Sequence, residues 1–62
     1  MQTVETLLNE TCEILRCASA TAYEAADALH GSQRDHAMSV VHLINLAQSR
    51  LDAAERGATA NA

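Results

Sequence analysis

The segment His30-Gly31-Ser32 is the strongest determinant of the fold, because it separates two long stretches that contain neither glycine nor proline. Gly31 can adopt the left-handed backbone conformation that commonly ends a helix. Ser32 is a favourable helix N-cap, and Asp35, three residues later, completes a variant of the capping box. The sequence therefore predicts one helix that ends near residue 30 and a second that begins near residue 33.

Both stretches carry apolar residues at the spacing of an amphipathic helix. In the first, predicted over about residues 3–30, they fall in three columns that form a stripe about 100° wide. The columns are Leu8, Leu15, Ala22, Leu29; Val4, Thr11, Ala18, Ala25; and Leu7, Ile14, Thr21, Ala28. In the second, predicted over about residues 33–56, the central seam is Ala37, Val40, Ile44, Ala47, Leu51 and Ala54. The alternation typical of strands is not found, so an all-α fold is expected.

The short connection predicts that the two helices are antiparallel neighbours. Folding about Gly31 sets residues opposite each other when their numbers sum to about 62, so that Ala22 meets Val40 and Ala18 meets Ile44. Small residues then face larger ones, which lets the layers interdigitate. The predicted boundaries are a helical hairpin over residues 1–56, a turn at residues 31–32 and a flexible tail over residues 57–62.

A single hairpin cannot cover all of this apolar surface. On the second helix, Leu43 and Leu46 flank the seam on one side and Val41 on the other, which spreads the apolar arc over roughly 200°. A domain of this size is marginal alone and usually gains a disulfide, a metal or a partner chain. The simplest closure is a homodimer that forms a four-helix bundle, and a heteromeric partner is the alternative. The residues expected at this interface are Leu7, Ile14, Tyr23, Val41, Leu43 and Leu46.

The charge of the chain excludes several classes of partner. The formal net charge is -4 and lysine is absent, so no basic surface is available to bind nucleic acid or anionic membranes. No apolar run approaches the length of a membrane span, and the first residues lack the features of a secretory signal. A cytoplasmic protein with free thiols is therefore expected.

The two cysteines and three histidines are the residues with the greatest chemical potential. Cys12 and Cys17 are five residues apart, which points their side chains about 140° apart on a helix and excludes a disulfide between them. They are interpreted mainly as small packing residues, with a thiol link or redox sensing across a dimer as the alternative. His30, His36 and His42 recur every six residues, whereas metal ligands on a helix are spaced by three or four. No metal, cofactor or catalytic group is therefore expected, and the chain is not expected to be an enzyme.

The segment Leu29-His30-Gly31-Ser32-Gln33-Arg34-Asp35 and the apolar residues that follow it resemble a known family. Those later residues are Ala37, Val40, Leu43, Leu46, Ala47 and Leu51. Small two-helix proteins of pseudomonads, grouped as domains of unknown function, share a glycine-containing turn followed by Arg-Asp. Their second helix carries a leucine-x-x-leucine-alanine run. The resemblance covers most of residues 5–52; it implies a helical hairpin without enzymatic activity and supplies no site residues.

Two hypotheses for function follow. The leading one is a non-enzymatic interaction module that self-associates, or binds and modulates another protein, through its apolar helix faces. The alternative is a thiol- or metal-responsive regulator that uses Cys12, Cys17 and the histidines.

Overall fold

A computed structural model describes residues 2–60, with side chains described for residues 2–57. Two helices account for nearly all of these residues: α1 spans Val4–Asp27 and α2 spans Gly31–Ala60. They pack against each other along their length, and residues 2–60 contain no strand. The predicted all-α hairpin is therefore confirmed.

The start of α1 is fixed by a threonine cap. Thr3 has an extended backbone, and its Oγ1 accepts a hydrogen bond from the backbone N–H of Thr6 at 3.0 Å. The carbonyl of Thr3 accepts a second bond, from the N–H of Leu7, also at 3.0 Å. A hydroxyl at this position satisfies one of the backbone donors that have no partner within the helix.

The turn between the helices lies earlier than predicted. α1 ends at Asp27 rather than near residue 30, and Gly31, with φ of 61°, is already the first residue of α2. The predicted left-handed glycine is therefore confirmed, but Ser32 lies inside α2, so the prediction that it caps the helix is wrong. Arg34 Nη1 donates to Asp27 Oδ1 at 3.3 Å, which links the two helices beside the turn.

The helices meet along a seam whose residues recur at alternating steps of three and four. On α1 and the turn that follows it, the buried and half-buried residues are Leu8, Cys12, Leu15, Ser19, Ala22, Ala26 and Leu29. On α2, the corresponding residues are Arg34, Ala37, Val41, Ile44, Gln48, Leu51 and Glu55, with Met38 and Ala47 half-buried beside them. This spacing keeps one side of each helix against the other over the whole length of the hairpin.

Three hydrogen bonds between the helices establish their antiparallel register. Cys12 Sγ lies 3.5 Å from Asp52 Oδ1, and Gln48 Nε2 donates to the backbone carbonyl of Cys12 at 3.4 Å. Ser19 Oγ donates to Asn45 Oδ1 at 2.9 Å. The paired residue numbers sum to 60 or 64, which agrees with the register expected from the sequence.

The rotation of each helix about its axis differs from the prediction. Val41, expected on an outer flank, is buried with 5% of its surface exposed, whereas Val40, expected in the seam, is 48% exposed. On α1, Ser19 rather than Ala18 faces α2. The column of Leu8, Leu15, Ala22 and Leu29 was placed correctly. Each helix is therefore rotated about its own axis, so that the seam lies at one edge of its apolar stripe rather than at the centre.

The far end of α2 extends beyond the predicted boundary. The helix continues through Gly57 to Ala60, so Gly57 does not end it, and the part of the predicted tail at residues 61–62 lies outside the described residues. Neither α1 nor α2, over the described part of the chain, is apolar enough along a sufficient length to cross a membrane.

Candidate interaction surface

The two broad sides of the hairpin can be distinguished by whether their residues come just before or just after a seam residue in the sequence. A step of one residue turns an α-helix by about 100°, so residues just before a seam residue lie on one side and those just after it on the other. Because the helices are antiparallel, the preceding positions of α1 and of α2 emerge on the same side of the hairpin. Leu7 and Ile14 precede Leu8 and Leu15; Val40 and Leu43 precede Val41 and Ile44.

These preceding positions and their neighbours form what we call the apolar face. It comprises Val4, Leu7, Thr11, Ile14, Ala18, Thr21 and Ala25 of α1, the following residue Ala28, and Gln33, His36, Val40, Leu43, Ala47, Arg50, Ala54 and Gly57 of α2. The larger apolar side chains on it are well exposed: Val4 68%, Leu7 47%, Ile14 66%, Val40 48% and Leu43 66%. Alanines of both helices lie between them, beside the seam.

The apolar face carries no carboxylate. The chain has eight Asp and Glu residues, and none of them occupies any of its positions; Arg50 is its one Asp, Glu, Lys or Arg residue. The acids lie instead on the seam edges and on the opposite side of the hairpin. Two copies of this face could therefore approach each other without bringing like charges together.

The opposite side is a polar groove, an open depression of about 540 Å³. It is lined by Arg16, Ser19, Ala20, Tyr23, Glu24, Val41, Asn45 and Gln48. The Ser19–Asn45 hydrogen bond crosses its floor, and Arg16 on its rim forms an ion pair with Glu13. Several of its polar side chains thus already have partners within the chain, whereas the exposed residues on the other side are mostly apolar.

The six residues predicted for the interface are separated by this geometry. Leu7, Ile14 and Leu43 lie together on the apolar face. Tyr23, which follows Ala22 by one position and is 51% exposed, lies in the polar groove instead. Leu46 is 52% exposed and lies two residues from seam residues on either side, so it points away from α1. Val41 is buried within the hairpin, so the prediction that it faces outward is wrong.

The two cysteines occupy different environments. Both are free; Cys17 is exposed and Cys12 is buried, with 3% of its surface exposed. Cys12 lies in the seam, where the loss of hydration, and then its hydrogen bond to Asp52, raise the pKa of its thiol above the usual value. The nearby carboxylate of Glu55 raises this pKa further. Cys12 therefore carries its proton under conditions in which an exposed thiol begins to lose it.

One group of potential metal ligands involves Cys12. Its Sγ and carboxylate oxygens of Asp52 and Glu55 all lie within 4.8 Å of one another. Sequence reasoning missed this group because it considered only the spacing of cysteines and histidines. Two signals could have revealed it: Asp52 and Glu55 are three residues apart on one helix, and the predicted register places Cys12 opposite that turn. None of His30, His36 and His42 belongs to a group of three potential ligands among the described residues.

Comparisons with known proteins identify a family without identifying an activity. Neither a search of curated proteins nor a search of solved structures finds a match. A family model described as a family of unknown function, DUF6124, matches residues 1–54. This match covers α1, the turn and most of α2, in agreement with the domain-of-unknown-function resemblance at the turn. The chain therefore belongs to the DUF6124 family.

Proposed function

We propose that this protein is a non-enzymatic interaction module that self-associates through its apolar face, with two hairpins forming a four-helix bundle. The observation that carries the proposal is the exposure of Leu7, Ile14, Val40 and Leu43 on one side of the hairpin that has no carboxylate. Exposed apolar patches of this kind are typical of interfaces between proteins.

The accessible surface area of the hairpin supports the packing of a second hairpin against the apolar face. The accessible surface is 4610 Å², whereas a compact monomer of the same 6.6 kDa mass would expose about 3,900 Å². The excess of about 700 Å² is close to the ~800 Å² that each partner buries in an interface of standard size. Burial of that area against one further hairpin would bring the exposed surface of each chain close to that of a compact monomer of its own mass.

The small core of the hairpin supports the same proposal. Among the residues whose side chains are described, three are buried: Cys12, Ala26 and Val41. The radius of gyration is 14.4 Å, compared with about 11 Å for a compact domain of this length. A single layer of two helices has no interior beyond the seam, so the apolar face is the place where a larger core can form.

The rotation of the helices also favours a bundle. In a four-helix bundle each helix contacts two neighbours, so its apolar stripe is centred between them. The stripe of α1 is centred on the column of Val4, Thr11, Ala18 and Ala25, which lies beside the seam and on the apolar face. A second hairpin related by a two-fold axis would cover that column with the same column of its partner.

The test is the mass of the protein in solution. Sedimentation equilibrium at micromolar concentration is expected to give twice the 6.6 kDa chain mass, and the value should fall toward one chain on dilution. A folded monomer at all concentrations would contradict self-association. The remaining candidate would then be a different protein that binds the same face with one or two helices.

The resemblance at the turn adds two elements to this proposal, a pseudomonad source and the absence of catalysis. A cytoplasmic location, in which Cys12 and Cys17 remain reduced, is proposed with them. A pull-down from the source organism, with the hairpin as bait, tests whether the working form is the dimer or a complex with another protein.

A further inference from the structure

We propose that Cys12, Asp52 and Glu55 form a binding site for a divalent cation of the zinc class, which links α1 to α2. The site is independent of the apolar face. Its ligands come from both helices, and their ligand atoms already lie within 4.8 Å of one another.

The first step in the argument is the position of the thiol. Cys12 lies in the seam and is buried, so its Sγ points between the helices rather than into solvent. Its Sγ is 3.5 Å from Asp52 Oδ1. In tetrahedral coordination, with sulfur at about 2.3 Å and oxygen at about 2.0 Å from zinc, these two ligand atoms would be about 3.5 Å apart. One edge of the coordination tetrahedron is therefore present before any ion binds.

The second step is the arrangement of the carboxylates. Asp52 and Glu55 are three residues apart on α2, a spacing that places both side chains on the same side of a helix. Glu55 is a half-buried seam residue, and Asp52 lies at the edge of the seam and is exposed. Arg16 of α1 forms an ion pair with Glu13 and also lies close enough to Cys12 and Asp52 to interact electrostatically with both. The site thus combines a buried thiol with two carboxylates, and one of these is open to solvent for entry of an ion.

The third step is the choice of ion. Calcium and magnesium favour coordination by oxygen alone and take six or more ligands, whereas a thiolate favours borderline and soft ions such as zinc. Three protein ligands leave a fourth position for water. Binding replaces the S–H bond of Cys12 with a bond from sulfur to the metal, and the released proton goes to solvent. No redox change is involved.

The position of the site gives the ion a structural effect. The turn already joins the helices at residues 28–30, whereas Cys12 and Asp52 lie far from it, toward the open end of the hairpin. An ion at this point would therefore link α1 to α2 near the end of the hairpin that the turn does not join. Zinc binding should therefore raise the melting temperature by stabilising the contact between the helices.

The test uses cobalt(II) as a spectroscopic probe and zinc as a competitor, with the full chain kept reduced. One cobalt ion per chain should bind and give thiolate-to-cobalt charge-transfer absorption together with the visible bands of tetrahedral cobalt. Zinc should abolish both signals and raise the melting temperature. Absence of the charge-transfer band at saturating cobalt would overturn the proposal.

Variants assign the ligands. Cys12→Ser should lose the charge-transfer band and the zinc-induced stabilisation, whereas the matched control Cys17→Ser should retain both. Glu55→Gln, which keeps the size of the side chain, should weaken zinc binding at least about tenfold. If Cys12→Ser does not fold, as judged by circular dichroism without metal, Asp52→Asn takes its place because Asp52 is exposed. Zinc binding that survives unchanged in both ligand variants, or that is lost in Cys17→Ser, would overturn the assignment.

Discussion

On one side of the hairpin, Leu7, Ile14 and Leu43 are exposed on a surface without carboxylates; on the other, Tyr23 lines a groove that the Ser19–Asn45 hydrogen bond crosses. The groove side therefore already contains a polar contact between the two helices. The apolar face has no such contacts. The comparison shows that an exposed surface indicates an interaction site when its side chains lack the contacts that they normally make. A concave shape alone does not.

The largest effect should come from adding charge to the apolar face. Ile14→Glu combined with Leu43→Glu replaces two exposed apolar residues that the proposed dimer buries, with a loss of about 3–6 kcal/mol of association free energy. Unpaired carboxylates in the interface would add to this loss. Sedimentation at micromolar concentration should show a monomer, and thermal stability should fall.

The matched control places the same two charges on the opposite side of the hairpin. Ala20→Glu combined with Ser49→Glu changes exposed residues that lie outside the apolar face. This variant should keep the mass of the wild type. If both double variants dissociate equally, net charge rather than the apolar face controls association, and the contrast between the two sides is broken.

The second effect separates two adjacent valines. Val41→Ala removes two methyl groups from the buried seam and should lower the free energy of unfolding by about 2 kcal/mol at any protein concentration. Val40→Ala acts on the apolar face, so its smaller cost, about 1 kcal/mol, should appear only at concentrations at which the dimer forms. Urea unfolding at two protein concentrations measures both. Equal and concentration-independent costs would show that Val40 remains exposed.

A smaller effect is expected from the polar groove. Ser19→Ala and Asn45→Ala each remove one partner of the 2.9 Å hydrogen bond, and the double-mutant cycle should give a coupling of about 0.5–1.5 kcal/mol. The oligomeric state should not change in any of the three variants. A change in mass would mean that the groove, and not only the apolar face, contacts the partner.

The smallest effect concerns the thiols and should leave the fold unchanged. Cys17 is exposed and should react rapidly with a thiol reagent, whereas Cys12 should react slowly because it is buried in the seam. Because the folded state raises the pKa of Cys12, stability should decline as the pH rises above the usual thiol pKa, and Cys12→Ser should remove this decline. Equal reaction rates for the two cysteines would contradict the position of Cys12 in the seam.

The sequence was sufficient to predict the fold and the register but not the rotation of the helices. Gly31 required a positive φ, and the antiparallel register followed from the short connection. The rotation depends on Cys12, Ser19 and Gln48, which make hydrogen bonds in the seam and which an apolar pattern cannot recognise. The apolar stripe of α1 is wider than the seam. It therefore indicated the whole surface of α1 that can make apolar contacts, including contacts with a partner, and it could not locate the seam within that surface.

The candidate sites were predictable to different degrees for the same reason. Leu7, Ile14 and Leu43 could be selected from periodicity, because they are large apolar residues beside the stripe centre. Tyr23 follows Ala22, which was expected to face α2, but its assignment to one side of the hairpin also required the rotation of α2. The grouping of Cys12 with Asp52 and Glu55 was accessible from the register and from the spacing of the two acids, but it joins α1 to residues 40 or more positions away, and spacing along one helix alone does not reveal it.

The conformation of Gly31 imposes a requirement of handedness rather than of size. With φ of 61° and no atom within 4 Å of the place where a side chain would begin, the position is sterically open but disfavours any L-residue. Alanine should therefore cost about 1 kcal/mol or more, and valine should cost more than alanine because a branched Cβ is less compatible with a positive φ. A D-alanine at the same position has the mirror-image preference, so it should fit without strain and reduce the freedom of the unfolded chain. The turn thus discriminates between mirror-image forms of one amino acid, although no neighbouring atom lies close to the position.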